Sequence, residues 1–240
     1  NADLPAQSGL GSSSTFTVGL LNVLYGLKNY MPTKRELALN AIHIEQDLIG
    51  ENVGSQDQTA AAFGGLNKII FSKNNIVDVS PILLSEDRIL QLENNLMLFF
   101  TGFARNASDI AAEQIKITLN KKVELNNMFE ICSEGMHILN NEKESLDRIG
   151  FLLNEQWQIK RKLTNKISNK EIDDIYSTGI SAGALGGKLL GAGGGGFILF
   201  YVPKINQDKV QIALKPKLHV PFRFDNIGSK IIYYSHQNNI

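Results

Sequence analysis

The run "GAGGGG", Gly191–Gly196, leads directly into the apolar segment Phe197–Val202. It formally satisfies the spacing G-x-G-x-x-G, but that phosphate-binding device follows a strand and opens a helix. Here the glycines precede a strand, which argues against a dinucleotide-binding parallel sheet. Consecutive glycines lose much backbone entropy on folding, and Gly193–Gly196 are more than a plain turn needs. The loop, with Gly191, Gly193, Gly194, Gly195 and Gly196, therefore reads as a place of close backbone approach. Its partner would be a ligand or another phosphate-binding loop. Lys188 lies just upstream, as a phosphate contact or as a solvated lysine at a strand start.

The rest of the chain mixes helical and extended patterns without regular alternation. Leu20, Leu21, Leu24 and Leu27 fall at helical spacing and predict a helix over Thr15–Leu27. Thr33 with Glu36 is a capping box opening a helix to about Ile49, with Leu37, Ala41, Ile44 and Leu48 as its apolar stripe. Thr59–Phe63 is a short segment after a glycine-bearing loop. Ile69–Phe71, Ile76–Val79, Leu96–Thr101, Phe197–Val202 and Ser229–Tyr234 read as strands. Long helical patterns cover Ala107–Asn120, Val123–Asn140, Lys143–Leu163 and Glu171–Ala182, and Val210–Leu214 reads as a short helix. This disorderly mixture predicts α+β layers rather than a doubly wound sheet. A boundary near Leu92–Leu96 divides the chain into residues 1–93 and 94–240.

Lys+Arg and Asp+Glu both number 24, so no bulk charge draws the chain to nucleic acid or to an anionic membrane. No apolar run is long enough to cross a bilayer as a helix. An anionic ligand must therefore be held by a local site. Cys132, the only cysteine, excludes an intrachain disulfide and fits a reducing compartment; it reads as a small buried apolar residue. Trp157 falls in a helical pattern and reads as packing. His43, His137, His219 and His236 lack metal-ligand spacing.

"LPAQSGLGSSSTFTVGLL", Leu4–Leu21, supplies such a local site. A glycine-serine turn entering a helix presents backbone N–H groups at the positive end of the helix dipole, where phosphate binds. Gly9 and Gly11 allow close approach, and serine hydroxyls can reach phosphate or a hard cation. A capped helix after a tight turn is the alternative. No Gly-Lys-Ser/Thr follows, so the loop is not a Walker A sequence.

Two of the carboxylates between the glycine loops stand out. Glu45 flanks the stripe of the second helix, and Asp57 lies in "GENVGSQDQTAAAFGG". The intervening loop can fold Asp57 back toward Glu45, one acid holding Mg²⁺ and the other taking a hydroxyl proton. Spacing alone favours a solvent-facing Glu45 and an Asp57 that caps a helix, and Asp47 and Glu51 are rival acids.

"PAQSGLGSSS" and "KLLGAGGGGF" resemble the second and third motifs of the GHMP kinases, the family of galactokinase, homoserine kinase, mevalonate kinase and phosphomevalonate kinase. They stand in that family's order. The resemblance spans nearly the whole chain. It implies an α+β fold of two domains, the first incomplete here and the second ferredoxin-like. It further implies an ATP-dependent kinase that uses Mg²⁺, acts on a small-molecule sugar phosphate in the cytoplasm, and has no nucleic-acid or membrane partner; a homodimer is left open. Gly9, Leu10, Gly11, Ser12, Ser13 and Ser14 match the phosphate loop, Ser13 and Glu45 the Mg²⁺ ligands, and Asp57 the catalytic acid. "IEQDLIGENVGSQDQTAAAFGGLN" and "LFFTGFARNASDIAAEQ" look most like the branch that phosphorylates a heptose 7-phosphate at its anomeric hydroxyl. On that narrower likeness Arg105 is a sugar-phosphate contact. Another acceptor, or a non-catalytic ATP sensor on the same fold, is the alternative. The family's first motif is absent, so the chain is expected to be a fragment.

Overall fold

The computed structural model describes residues 9–72, 76–103 and 107–235. The chain forms two compact units. One takes Gly11–Ile82 and the described residues from Phe224 on; the other takes Leu83–Arg223 with Gly9 and Leu10.

The first unit is a cluster of helices with a hairpin. Helix α1 spans Ser12–Leu27 and α2 spans Lys34–His43. The Thr33 hydroxyl accepts the Glu36 N–H at 3.1 Å, so the expected N-cap is in place. The helix then widens into a π turn, Ile44–Leu48, in which the Ile49 N–H reaches Ile44 C=O at 2.9 Å. This i→i+5 winding rotates Leu48 out of the stripe, where it is exposed, and leaves Glu45 buried. Helix α3 is Gln56–Phe63. Val18, Leu37, Ala38, Ala41 and Ala62 form the core, small side chains that let the helices approach closely. The face that α1 buries is Ser14, Val18, Asn22 and Gly26, whereas Leu20, Leu24 and Leu27 are exposed.

Strands β1 (Asn67–Ser72) and β2 (Ile76–Pro81) pair antiparallel, from Asn67 opposite Pro81 to Ser72 opposite Ile76. The returning segment does not form the strand expected at Ser229–Tyr234. Its neighbours are helices, which offer no β edge: the Ser229 N–H bonds to Ala61 C=O of α3 at 2.8 Å, and Ile231 packs on Gly26 of α1. Lys34 Nζ ties the two stretches together, donating to Phe63 C=O at 2.6 Å and Ile227 C=O at 2.7 Å.

The second unit begins with α4 (Glu86–Asn94), ahead of the expected boundary near Leu92–Leu96. Its Arg88 explains why. The buried guanidinium donates to the carbonyls of Ile138, Leu139, Asn141 and Glu144 at 2.6–3.0 Å, fixing α4 to the end of a later helix. Strand β3 (Leu96–Phe100) follows, then α5 (Ala107–Ile117), α6 (Lys122–Asn140), α7 (Asp147–Lys160) and α8 (Lys170–Ser181). Strands β4 (Gly186–Leu189) and β5 (Phe197–Tyr201), helix α9 (Gln207–Ala213) and β6 (His219–Val220) complete it. The antiparallel sheet has the order β4-β5-β3-β6, with Leu96 opposite Tyr201 and Leu98 opposite Val220. Helices between β3 and β4, and α9 between β5 and β6, make this the β-α-β-β-α-β ferredoxin-like arrangement. Trp157, Phe99, Phe200, Ile172 and Ile198 fill its core. Cys132 departs from its expected burial: it is exposed on α6.

Candidate functional site

Gly11 opens α1 in the left-handed conformation, φ +69°. The first turn holds no acidic residue and no side-chain cap. The N–H groups of Ser12, Ser13 and Ser14 precede the first helical bond, Thr15 N–H to Gly11 C=O at 2.8 Å. This end of α1 carries the positive pole of the helix dipole.

Of the three serines, Ser14 turns inward and Ser13 is exposed. Ser14 Oγ donates to Glu45 Oε2 at 2.8 Å, joining α1 to the π turn. Gln58, in the first turn of α3 and wholly buried, donates its amide Nε2 to the same oxygen. Glu45 is itself only 2 % exposed. Its other oxygen, Oε1, is buried without a hydrogen-bond partner, as is Gln58 Oε1. The rival acids lie elsewhere: Asp47 pairs with His43 on the surface at 2.7 Å, and Glu51 is exposed.

Asp57 neighbours Gln58 on the same turn and borders the other end of the serine loop. A Cβ on Gly11 would stand 3.0 Å from Asp57 Cγ, so any larger residue there would displace the carboxylate. The loop before α3 is anchored by Gln46, whose amide donates to Val53 C=O at 2.9 Å and Ser55 Oγ at 3.2 Å. The chain between the carboxylates thus folds back, with Gln58 making the contact to Glu45. Sequence reasoning missed Ser14 as the partner of Glu45 and missed Gln58 altogether. The available signal was a Gln-Thr pair ahead of three alanines on a short helix, polar residues placed where the helix packs.

Among the described residues no three His, Cys, Asp or Glu side chains stand together as a metal cluster. A magnesium ion asks for less, taking one or two carboxylates with phosphate oxygens and water. One buried carboxylate, held through one oxygen by the Ser14 hydroxyl and with its other oxygen unpaired, fits that demand.

In the ferredoxin-like unit, Gly9 lies against Leu190 and Gly191, where a Cβ on Gly191 would stand 2.9 Å from Gly9 Cα. The remainder of the glycine run packs on its own unit. A Cβ on Gly193 would meet Ile167 Cα at 2.8 Å, and one on Gly195 would meet the Phe103 carbonyl oxygen at 2.9 Å. The Gly194 N–H donates to Ile167 C=O and the Gly196 N–H to Phe103 C=O, each at 2.9 Å. Close backbone approach is therefore met by protein as well as by a second glycine loop. Lys188, on β4, donates to Gln156 Oε1 of α7 at 2.7 Å, and burial lowers its pKa. Arg105 lies outside the described residues.

The sequence profile of the GHMP kinases N terminal domain matches residues 1–65, and that of the GHMP kinases C terminal domain matches residues 138–217. D-glycero-alpha-D-manno-heptose 7-phosphate kinase of Campylobacter jejuni is 36% identical over 219 residues, covering 89% of this chain and 63% of its own length. The galactokinase of Pyrococcus furiosus is 27% identical over 229 residues, covering 84% of this chain and 63% of its own. The crystal structure of a D-glycero-D-manno-heptose 1-phosphate kinase from Bacteroides thetaiotaomicron superposes with a TM-score of 0.68 at 28% identity, covering 97% of this chain and 66% of that one. The chain thus spans just under two thirds of the length of these relatives.

Proposed function

The chain belongs to the GHMP kinase family, and on that premise we propose that it transfers the γ-phosphate of ATP to a sugar hydroxyl. The acceptor we assign is the anomeric hydroxyl of a heptose 7-phosphate. The observation that carries the reading is the buried Ser14–Glu45–Gln58 cluster, with its unpaired Glu45 Oε1, at the start of α1 and beside Asp57. The acceptor rests on the Campylobacter relative at 36% identity.

Phosphoryl transfer asks a protein for positioning and charge neutralisation more than for covalent chemistry. The N–H groups of Ser12, Ser13 and Ser14 would hold phosphate oxygens at the helix N-terminus. Glu45 and the exposed hydroxyl of Ser13 would hold Mg²⁺, which when bound supplies positive charge to the phosphates. Asp57 would orient the acceptor hydroxyl and take its proton. The bond from the γ-phosphorus to the β–γ bridging oxygen breaks, a bond to the sugar oxygen forms, and ADP leaves. An anomeric hydroxyl is more acidic than an ordinary alcohol, so it leans less on full proton removal by Asp57. Such a product would serve nucleotide-heptose synthesis for surface polysaccharide, a cytoplasmic task.

The test is ADP release by the protein with MgATP and, separately, heptose 7-phosphate, the unphosphorylated heptose, galactose and mevalonate. Turnover confined to the phosphorylated heptose is the expected result. Turnover with another acceptor would retain the kinase and remove the heptose assignment. ATP binding without turnover on any of the four would favour a sensor.

A further inference from the structure

Gln58 is an odd residue to bury. It is wholly enclosed and carries no charge, and it spends its one directed hydrogen bond on an oxygen that Ser14 already engages. Burying an amide that leaves its own Oε1 unpaired is unfavourable. Turning the amide over would be worse, since it would set Gln58 Oε1 against Glu45 Oε2, acceptor against acceptor. The orientation with Nε2 on the carboxylate is the one the chemistry allows.

Both donors thus converge on Oε2, and Oε1 is left alone. Neither donor is cationic, and among the described residues no ion pair engages Glu45. A buried carboxylate with both donors on one oxygen and none on the other keeps an open acceptor position that a cation would fill. We propose that Gln58 is a positioning residue: its amide and the Ser14 hydroxyl fix Glu45 Oε2 and so reserve Oε1 for a divalent cation. The inference rests on the nucleotide-bound cation of the function proposed above, and assigns to Gln58 and Ser14 the holding of its carboxylate ligand.

The experiment titrates Mn²⁺ into the protein with ADP present, reading bound ion from the loss of the free-ion electron paramagnetic resonance signal against ADP alone. Gln58→Met keeps the side-chain length and removes the amide; Ser14→Ala removes one hydroxyl and changes volume little. Each is expected to raise the Mn²⁺ dissociation constant roughly 10–100-fold, as loss of a residue that orients a metal ligand does. Thermal unfolding of each variant separates this from collapse of the site, because a purely structural role would shift the melting temperature and leave the affinity of the folded protein alone. Unchanged Mn²⁺ affinity in folded Ser14→Ala and Gln58→Met overturns the inference, as does a wild-type protein that takes up no Mn²⁺ beyond ADP alone. If Gln58→Met does not fold, Ser14→Ala decides. Sugar phosphorylation by a wild type whose variants bind Mn²⁺ normally would keep the proposed function and remove this inference. Weakened Mn²⁺ binding in a protein inactive on every acceptor would do the reverse.

Discussion

The Asp57 carboxylate fills the space into which a side chain on Gly11 would project: a Cβ there would stand 3.1 Å from Asp57 Oδ2, on a residue whose φ is +69°. Two independent requirements therefore meet at one glycine, left-handed backbone and room for the acid. Gly11→Ala is expected to lose about 1–2 kcal/mol to backbone strain alone and to lower turnover through the displaced Asp57. Gly19, on the same helix with nothing within 4 Å of its Cβ position, is the control. Gly19→Ala is expected to stabilise the protein by about 1 kcal/mol and to leave turnover intact. Urea unfolding and ADP release measured on both variants check the contrast.

Asp57→Asn keeps the shape of the side chain and removes its basicity. If Asp57 accepts the hydroxyl proton, turnover should fall roughly 10²–10⁴-fold with the melting temperature unchanged. A folded variant with near-normal turnover would take Asp57 out of that role.

The ferredoxin-like unit was largely legible in the sequence because its signals are long or strongly apolar: Leu96–Phe100, Phe197–Tyr201 and the helices through Ser181 all lie close to their expected spans. Strand β4 was not, because "GGKL" has low strand propensity. Its glycines answer to packing that only the fold defines, since a Cβ on Gly186 would fall 1.8 Å from Gly150 C=O of α7. Glu45 and Asp57 were named through the resemblance to a family, because spacing alone left Asp47 and Glu51 as rivals. Which serine faces Glu45, and that Gln58 does so too, depends on the winding of the π turn, which no residue spacing announces. The last expected strand, Ser229–Tyr234, failed for a related reason: local propensity cannot say whether the surface waiting for a segment is a sheet edge or a helix.

Arg88 is the fastening of α4 to the end of α6. Its guanidinium serves the carbonyls of Ile138, Leu139, Asn141 and Glu144 while only 6% of the residue is exposed. Arg88→Ala would strand these carbonyls, at a cost of about 2–4 kcal/mol in urea unfolding. Arg88→Lys should recover only part of this, because an ammonium lacks the planar fork that reaches several carbonyls at once. Equal stability of the lysine variant and the wild type would mean that charge alone holds the joint.

Lys188 contrasts with Arg88 in what meets its charge. Its hydrogen-bond partner is the neutral Gln156 amide, and burial lowers its pKa from the ordinary lysine value. In the unfolded chain the amine titrates at about 10.4. Between the lowered folded pKa and that value the unfolded state binds more protons, so stability rises with pH across this window. Below the folded pKa the ammonium is charged in both states, and its full desolvation penalty bears on the native one. Lys188→Met, which keeps the stem and removes the charge, should therefore melt higher than wild type at pH 7. Its advantage should shrink as the pH is raised through the lowered pKa of the folded protein, where the wild-type amine loses its charge. Melting curves of both proteins across that range test the sign. An advantage that stayed constant with pH would trace to packing of the methionine, and a variant that melted lower throughout would show that the Lys188–Gln156 bond outweighs the burial of its charge.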